Sequence, residues 1–116
     1  MSGKIVPSQV ADLTGAEVEL ELSSASTPLF LDVYATWCGP CKMMVPILQQ
    51  TAERLGNKIR FAKMDSDKYP QIAGKLAVEG LPTLILFDMA GTEVDRIEGA
   101  LQENQLIEWI ESKKIM

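Results

Sequence analysis

Two cysteines separated by two residues, Cys38-Gly39-Pro40-Cys41, are the feature that most constrains how this 116-residue chain can fold. A continuous apolar run at residues 29–35 precedes them and is typical of a strand buried on both faces of a sheet. After Pro40, apolar residues recur at helical spacing until a Gly-Asn pair ends the pattern. Pro40 suits a first helical turn because its φ is fixed in the helical range and its missing N–H has no partner there. The pair is therefore predicted to lie at a strand-to-helix junction.

The rest of the chain alternates between strand and helix patterns. Near the N-terminus, residues 18–22 alternate like a strand, but Thr14 and Glu17 match a capping box, which favours a helix. Residues 1–13 give no structural prediction. The later predicted elements are a strand at 59–65, a short helix at 70–77, a hairpin of 83–87 and 92–98, and a last helix at 103–114. Parallel strands flanked by helices, followed by an antiparallel hairpin, predict an α/β fold with a mixed central sheet, as one domain over residues 1–116.

Charge and composition exclude several classes of function. The net charge of −5 argues against nucleic acid and anionic membranes as partners, because both select for Lys and Arg. The chain has no histidine, which removes the general base of Cys-His proteases and the commonest zinc ligand. No long apolar run near the N-terminus could act as a signal peptide or a membrane span. We therefore expect a soluble protein of the cytoplasm, or of the plastid stroma if a transit peptide has been removed.

The spacing of the two cysteines suits redox chemistry. At positions i and i+3 of a first helical turn, their Cβ atoms lie about 5 to 6 Å apart on one face. A disulfide between them closes a short ring and adds little stability, so a switch is favoured over a structural crosslink. The helix N-terminus favours the thiolate at Cys38, which predicts Cys38 as the nucleophile. Cys41, one turn further in and expected to be less exposed, would then cleave the mixed disulfide.

The alternative for this pair is half of a zinc site or two inert core thiols. A structural zinc site would need two more ligands, and without further cysteine or any histidine only carboxylates remain. We therefore predict redox chemistry and no metal.

Residues 35–42, together with Pro46 and residues 80–83, strongly resemble thioredoxins. The resemblance covers nearly the whole chain after the N-terminal quarter. It implies a three-layer α/β/α thioredoxin-like fold with about five strands and four helices. It also implies a protein-disulfide reductase that needs no cofactor beyond the redox-active disulfide of Cys38 and Cys41.

The resemblance also implies partners and a subtype. A thioredoxin reductase, dependent on NADPH or on ferredoxin, would reduce the pair, and disulfide-containing proteins such as peroxiredoxins would be the targets of a monomeric protein. Residues 33–36, 44–46 and 67–70 look most like the y-type thioredoxins of chloroplasts and cyanobacteria.

Further site residues follow from the resemblance, each with a plainer alternative. Asp32, a carboxylate inside an apolar strand, should have a raised pKa and exchange protons with Cys41, or else face an edge without a role. Lys63 would lie near Asp32 and partly compensate its charge, although a solvated surface lysine is nearly as consistent. Pro82 would follow a cis peptide bond, preceded by backbone that pairs with a bound substrate strand, or would simply end a turn.

The remaining implied residues support the cysteines or contact partners. Gly39 and Pro40 would support the active site. Trp109 is predicted to belong to the core instead. The residues expected to form an apolar rim for docking proteins are Trp37, Gly80, Leu81, Gly99 and Ala100.

Two other functions compete with a reductase. A thiol oxidase or isomerase is disfavoured because strongly oxidising relatives usually carry a histidine between the cysteines, where this chain has Gly39 and Pro40. A noncatalytic thioredoxin-like docking module often lacks a cysteine or the cis proline, and this chain keeps both.

Overall fold

The computed structural model describes residues 3–24 and 26–116. Within these ranges the chain forms five strands and four helices. In chain order they are β1 (Val10–Asp12), α1 (Gly15–Ser23), β2 (Leu29–Tyr34), α2 (Gly39–Leu55), β3 (Arg60–Asp65), α3 (Pro70–Lys75), β4 (Thr83–Phe87), β5 (Glu93–Glu98) and α4 (Glu103–Ser112).

The strands form one mixed sheet in the order β1-β3-β2-β4-β5. β1 and β2 pair parallel with β3, whereas β4 runs antiparallel to both β2 and β5. The register aligns Asp12 of β1 with Lys63 of β3, and Lys63 with Asp32 of β2. Opposed residues of paired strands project from the same face, so these three charged side chains form one row across the sheet. The predicted α/β fold with a mixed sheet is confirmed.

Alternation along the strands builds two apolar layers, one on each face of the sheet. On one face, Phe30 and Leu84 pack with Met44 and Leu48 of α2, and residues of α4 complete this layer. The other layer includes Leu31, Val33, Met64, Ile85, Val18 of α1 and Ile72 of α3. Strand β2 is buried on both faces, as its continuous apolar run predicts. Asp32 shares the α2 face with Phe30, two residues earlier in the strand.

Helix α1 has the predicted capping box. The Thr14 hydroxyl accepts from the Glu17 N–H at 3.2 Å, and the Glu17 carboxylate accepts from the Thr14 N–H at 2.8 Å. These contacts satisfy two N–H groups at the start of the helix and decide for a helix over a strand. Buried Val18 then anchors the helix to the sheet.

A buried ion pair that the sequence analysis did not predict joins α1 to the sheet. Arg60 Nη1 lies 2.8 Å from Glu21 Oε1, with the side chains 7% and 1% exposed. The same guanidinium donates to the Thr27 carbonyl from Nε at 3.0 Å and from Nη2 at 2.7 Å. The multiple hydrogen bonds offset the desolvation of both charges.

The β4–β5 turn also packs against α1. Asp88 Oδ1 accepts from the N–H groups of Ala90 and Thr92, at 2.9 and 3.0 Å. Gly91 has φ +84°, and a Cβ atom there would collide with the carbonyl oxygen of Leu22. The turn therefore requires glycine for both its backbone conformation and its close approach to the helix.

Some predicted details differ from the structure. Helix α4 ends at Ser112, two residues before the predicted end. Helix α3 ends at Lys75, two residues before the predicted end, and Ala77 has φ 56°. Trp109 is half-buried at the edge of the core, where its indole N–H donates to Asp95 Oδ2 at 2.9 Å. No helix among residues 3–24 and 26–116 is long and apolar enough to cross a membrane.

Candidate active site

The two cysteines lie at the N-terminus of α2, joined as a disulfide with their Cα atoms 5.2 Å apart. Cys38 is the N-cap residue, with φ −84° and ψ 115°. Its Sγ accepts a hydrogen bond from the Cys41 N–H at 3.2 Å. A helix N-terminus presents unpaired N–H groups and the positive end of the helix dipole, both of which stabilise a thiolate. After reduction, the position of Cys38 therefore favours its ionised form.

Burial does not distinguish the two cysteines in this oxidised state. Each is 4% exposed, so the prediction that Cys41 is the less exposed of the two is wrong here. The Cys38 sulfur is bonded to Cys41 and accepts from the Cys41 N–H at the start of α2. The two cysteines differ in their surroundings, because Cys41 lines a partly open cavity whereas Cys38 does not.

Trp37 forms the most exposed apolar part of this face. It is 68% exposed, and its indole N–H donates to Asp67 Oδ2 at 2.8 Å. The hydrogen bond fixes the ring direction although most of the ring surface faces solvent. An oriented, exposed tryptophan beside a disulfide is suited to contact another protein.

A cis peptide bond joins Leu81 to buried Pro82. Leu81 packs against the two cysteines, so this loop lies directly beside the disulfide. The Gly99 N–H donates to the Pro82 carbonyl at 2.8 Å, which brings the segment after β5 to the same place.

The other predicted docking residues lie in these two segments. The Gly80 carbonyl accepts from the Thr83 hydroxyl at 2.6 Å, and a Cβ atom on Gly80 would approach Glu98. Ala100, next to Gly99, is exposed. The residues predicted to form the docking rim therefore come from three separate parts of the chain.

Asp32 is almost fully buried on the α2 face of the sheet, with 2% of its surface exposed. Its Oδ1 has no hydrogen-bond partner within residues 3–24 and 26–116. Desolvation raises the pKa of Asp32 to about 7, although the positive charge of Lys63 opposes the increase. A carboxyl group with this pKa can both accept and release a proton near neutral pH.

A cavity of about 180 Å³ connects Asp32 with the second cysteine. The space is large enough to hold water, which could carry a proton between the carboxylate and Cys41. The lining residues include Asp32, Tyr34, Cys41, Lys42, Val45 and Lys63. Asp32 therefore shares this cavity with Cys41, the predicted resolving cysteine, and Cys38 does not line it.

Lys63 lies between two carboxylates in the row Asp12-Lys63-Asp32. Its Nζ lies 5.3 Å from the centroid of the Tyr34 ring. The Tyr34 hydroxyl in turn donates to the Asp12 carboxylate, 3.1 Å from Oδ1 and 3.0 Å from Oδ2. Neither Tyr34 nor Asp12 was predicted as a site residue. The two-residue spacing between Asp32 and Tyr34 nevertheless places these two side chains on one face of β2.

Among the described residues, no group of three or more His, Cys, Asp or Glu side chains is arranged to hold a metal ion.

The comparisons agree with this geometry. The family model for thioredoxin matches residues 9–112. The chain is 52% identical to chloroplastic thioredoxin Y of Oryza sativa subsp. japonica over 91 residues, covering 78% of this chain and 54% of that protein. It is 47% identical to a thioredoxin-like protein of Synechocystis over 90 residues, covering 78% of this chain and 85% of that protein. The chain spans about half the length of the plant relatives that it matches.

A solved structure is also similar over almost the whole chain. It is a single-site mutant of thioredoxin from Halobacterium salinarum, with a TM-score of 0.82 and 33% identity, covering 98% of each chain. The predicted resemblance to thioredoxins is confirmed, and the y-type similarity is supported by the plant relatives. The chain belongs to the thioredoxin family.

Proposed function

We propose that this chain is a protein-disulfide reductase, and the observation that carries the proposal is the Cys38–Cys41 disulfide at the N-terminus of α2. In the reduced protein, the Cys38 thiolate attacks one sulfur of a target disulfide and expels the other as a thiolate. The Cys41 thiolate then attacks Cys38 Sγ, which re-forms the Cys38–Cys41 disulfide and releases the second target thiol. Two electrons pass from the chain to the target.

Asp32 is proposed as the proton carrier for the second step. The Cys41 thiol must lose its proton before it can attack, and Asp32 reaches it through the shared cavity. With a pKa of about 7, the carboxylate accepts this proton and returns it during the reverse, reductive reaction. Lys63 acts on the same group by lowering the pKa of Asp32 from the value that burial alone would produce.

Target proteins are proposed to dock across the rim around the disulfide. The exposed Trp37 ring supplies apolar contact area, and the Leu81 backbone before Pro82 is the surface for an extended substrate strand. Gly80, Gly99 and Ala100 leave room for a partner backbone because they carry little or no side chain. Gly39 and Pro40 form the start of α2 directly after Cys38.

The proposed partners follow from family membership. A thioredoxin reductase, dependent on NADPH or on ferredoxin, would reduce the disulfide, and the targets would be disulfide-containing proteins such as peroxiredoxins. The protein is proposed to act as a monomer over residues 1–116, with no cofactor or metal. The plant relatives are named chloroplastic, which supports the plastid stroma as a site of action, with the cytoplasm as the alternative.

The proposal is tested by insulin reduction with dithiothreitol as electron donor. The wild type should accelerate the reaction, and Cys38→Ser should lower the rate to that of dithiothreitol alone. Met89→Ala is the control, because Met89 is 60% exposed in the β4–β5 turn, outside the proposed site. Catalysis retained by Cys38→Ser would show that another group is the nucleophile.

A further inference from the structure

We propose that Tyr34 is a positioning residue of the reductase site, whose ring holds the Lys63 ammonium group beside buried Asp32. This inference rests on the proposed role of Asp32 as proton carrier. Tyr34 is the last residue of β2, two positions after Asp32, and it lines the same cavity. It therefore lies beside the proton-transfer site, and it also packs against the small cluster of Ala35 and the two cysteines.

Some contact must hold the Lys63 ammonium group near Asp32. None of the ion pairs within residues 3–24 and 26–116 includes Lys63, so its charge acts on Asp32 without a direct contact. A lysine side chain has several rotatable bonds and a strongly hydrated head, and it takes a fixed position only where something holds it. The Tyr34 ring face, 5.3 Å from Nζ, supplies that contact within the usual range of cation–π interactions.

The ring is itself fixed from the other side. The Tyr34 hydroxyl donates to both carboxylate oxygens of Asp12, on edge strand β1, which lies beyond β3 in the sheet. A hydrogen bond to a charged acceptor is stronger than one between neutral groups. Burial and the nearby acidic groups together raise the pKa of Tyr34, so the hydroxyl remains a donor throughout the neutral pH range.

The contact with the Tyr34 ring also keeps the Lys63 ammonium group away from the Asp12 carboxylate, which competes with Asp32 for it. Lys63 lies between Asp12, which is exposed, and Asp32, which is buried. An ammonium group released from the ring would move toward solvent and the exposed carboxylate, because both stabilise its charge. Its effect on Asp32 would then weaken.

The charged and titratable groups around Asp32 in the oxidised protein come from four elements. They are Tyr34 of β2, Lys63 and Asp65 of β3, Asp12 of β1, and Lys42 of α2. From β4, the residue opposite Asp32 is the apolar Leu84. Lys63 is the group whose charge lowers the pKa of Asp32, so displacement of its ammonium is what the experiment must detect.

The test is a double-mutant cycle on the oxidised protein, with the Asp32 carboxyl titrated by carbon NMR. Lys63→Met should raise the pKa of Asp32 in the wild-type background. In the Tyr34→Leu background the same substitution should raise it by less than half as much, because Lys63 has already left its place. Tyr34→Phe, which keeps the ring, should preserve most of the Lys63→Met effect.

Three results would overturn the inference. They are no effect of Lys63→Met, an undiminished effect in the Tyr34→Leu background, and equal behaviour of Tyr34→Phe and Tyr34→Leu. Simple hydration of the enlarged cavity would shift the pKa of Asp32 in the Tyr34→Leu background whether or not Lys63 is replaced, so the difference produced by Lys63→Met within that background removes this shift.

A second measurement needs no variant of Tyr34. In the wild type, the ring current of Tyr34 should move the Lys63 Cε protons upfield of those of exposed Lys58, and identical shifts would contradict the proposed contact. Neither measurement depends on turnover, so a chain that failed as a reductase would still give a clear answer on Tyr34. If the protein is an active reductase, the pH at which mixed-disulfide resolution is half-maximal should rank the variants in the same order as their Asp32 pKa values.

Discussion

At the scale of single residues, burial changes the chemistry of Asp32, whose carboxyl group has a pKa of about 7. A raised pKa is expected for an aspartate inside an apolar strand. The contact between Lys63 and Tyr34 was not predicted, because it depends on the register of β2 against β3. The link to Asp12 also required β1, which no pattern in the sequence indicates.

Asp32→Asn should stabilise the oxidised protein, and increasingly so as the pH rises. The folded-state pKa of Asp32 is raised above its ordinary value of 3.8, so the folded protein binds this proton more tightly than the unfolded chain. The free energy of unfolding of the wild type therefore falls as the pH rises from about 4 to about 7, because Asp32 loses its proton over this range. Above about pH 7 this destabilisation no longer changes with pH. Urea unfolding should show the variant gaining roughly 2 to 3 kcal/mol more at pH 8 than at pH 5. Equal gains at the two pH values would contradict the raised pKa.

At the scale of secondary structure, local signals located most elements. The Gly-Asn stop matches the end of α2 at Leu55, and the capping box at Thr14 correctly indicated α1. Strand β1 escaped prediction because it has three residues and ends in an exposed aspartate, which leaves too little alternation to detect. The buried pair of Arg60 and Glu21 joins positions 39 residues apart, and neither residue's local sequence indicates the other.

Gly91→Ala should destabilise the protein through the contact between the β4–β5 turn and α1. Its φ of +84° is unfavourable for alanine, and the added Cβ would meet the Leu22 carbonyl oxygen. We expect a loss of more than about 2 kcal/mol in the free energy of unfolding, measured with urea.

Gly74→Ala is the matched control for this substitution. Gly74 lies in α3, has no positive φ, and a Cβ atom added to it would meet no atom within 4 Å outside its own helical turn. Alanine there should leave stability unchanged or raise it by about 0.5 to 1 kcal/mol. Similar losses of unfolding free energy for the two variants would show that the turn does not require glycine at position 91.

At the scale of the whole molecule, the site is assembled by the sheet topology. The disulfide, the Leu81–Pro82 loop and Gly99 are far apart in sequence and meet at one face. Their common location was predicted from the resemblance to thioredoxins and not from local patterns. Periodicity alone leaves the order of strands open, and only that order brings these segments together.

Trp37→Ala should weaken the use of protein substrates without impairing the disulfide chemistry. Its exposed ring lies on the proposed docking rim, and Trp37 is not among the residues that line the cavity beside Asp32. We expect the KM for insulin to rise several-fold, while the rate with a small aromatic disulfide stays within about twofold. Met89→Ala should change neither value, and an equal loss with both kinds of substrate would assign Trp37 to the chemical step instead.

The most direct test of the account is to trap the mixed disulfide with a target protein. Oxidised insulin is mixed with the fully reduced Cys41→Ser or Cys38→Ser variant, and covalent adducts are counted by intact-mass spectrometry under non-reducing conditions. If Cys38 attacks and Cys41 resolves, Cys41→Ser accumulates an adduct through Cys38, whereas Cys38→Ser accumulates little or none. An adduct that forms as fast or faster through Cys41 in Cys38→Ser would reverse the assigned roles and contradict the account.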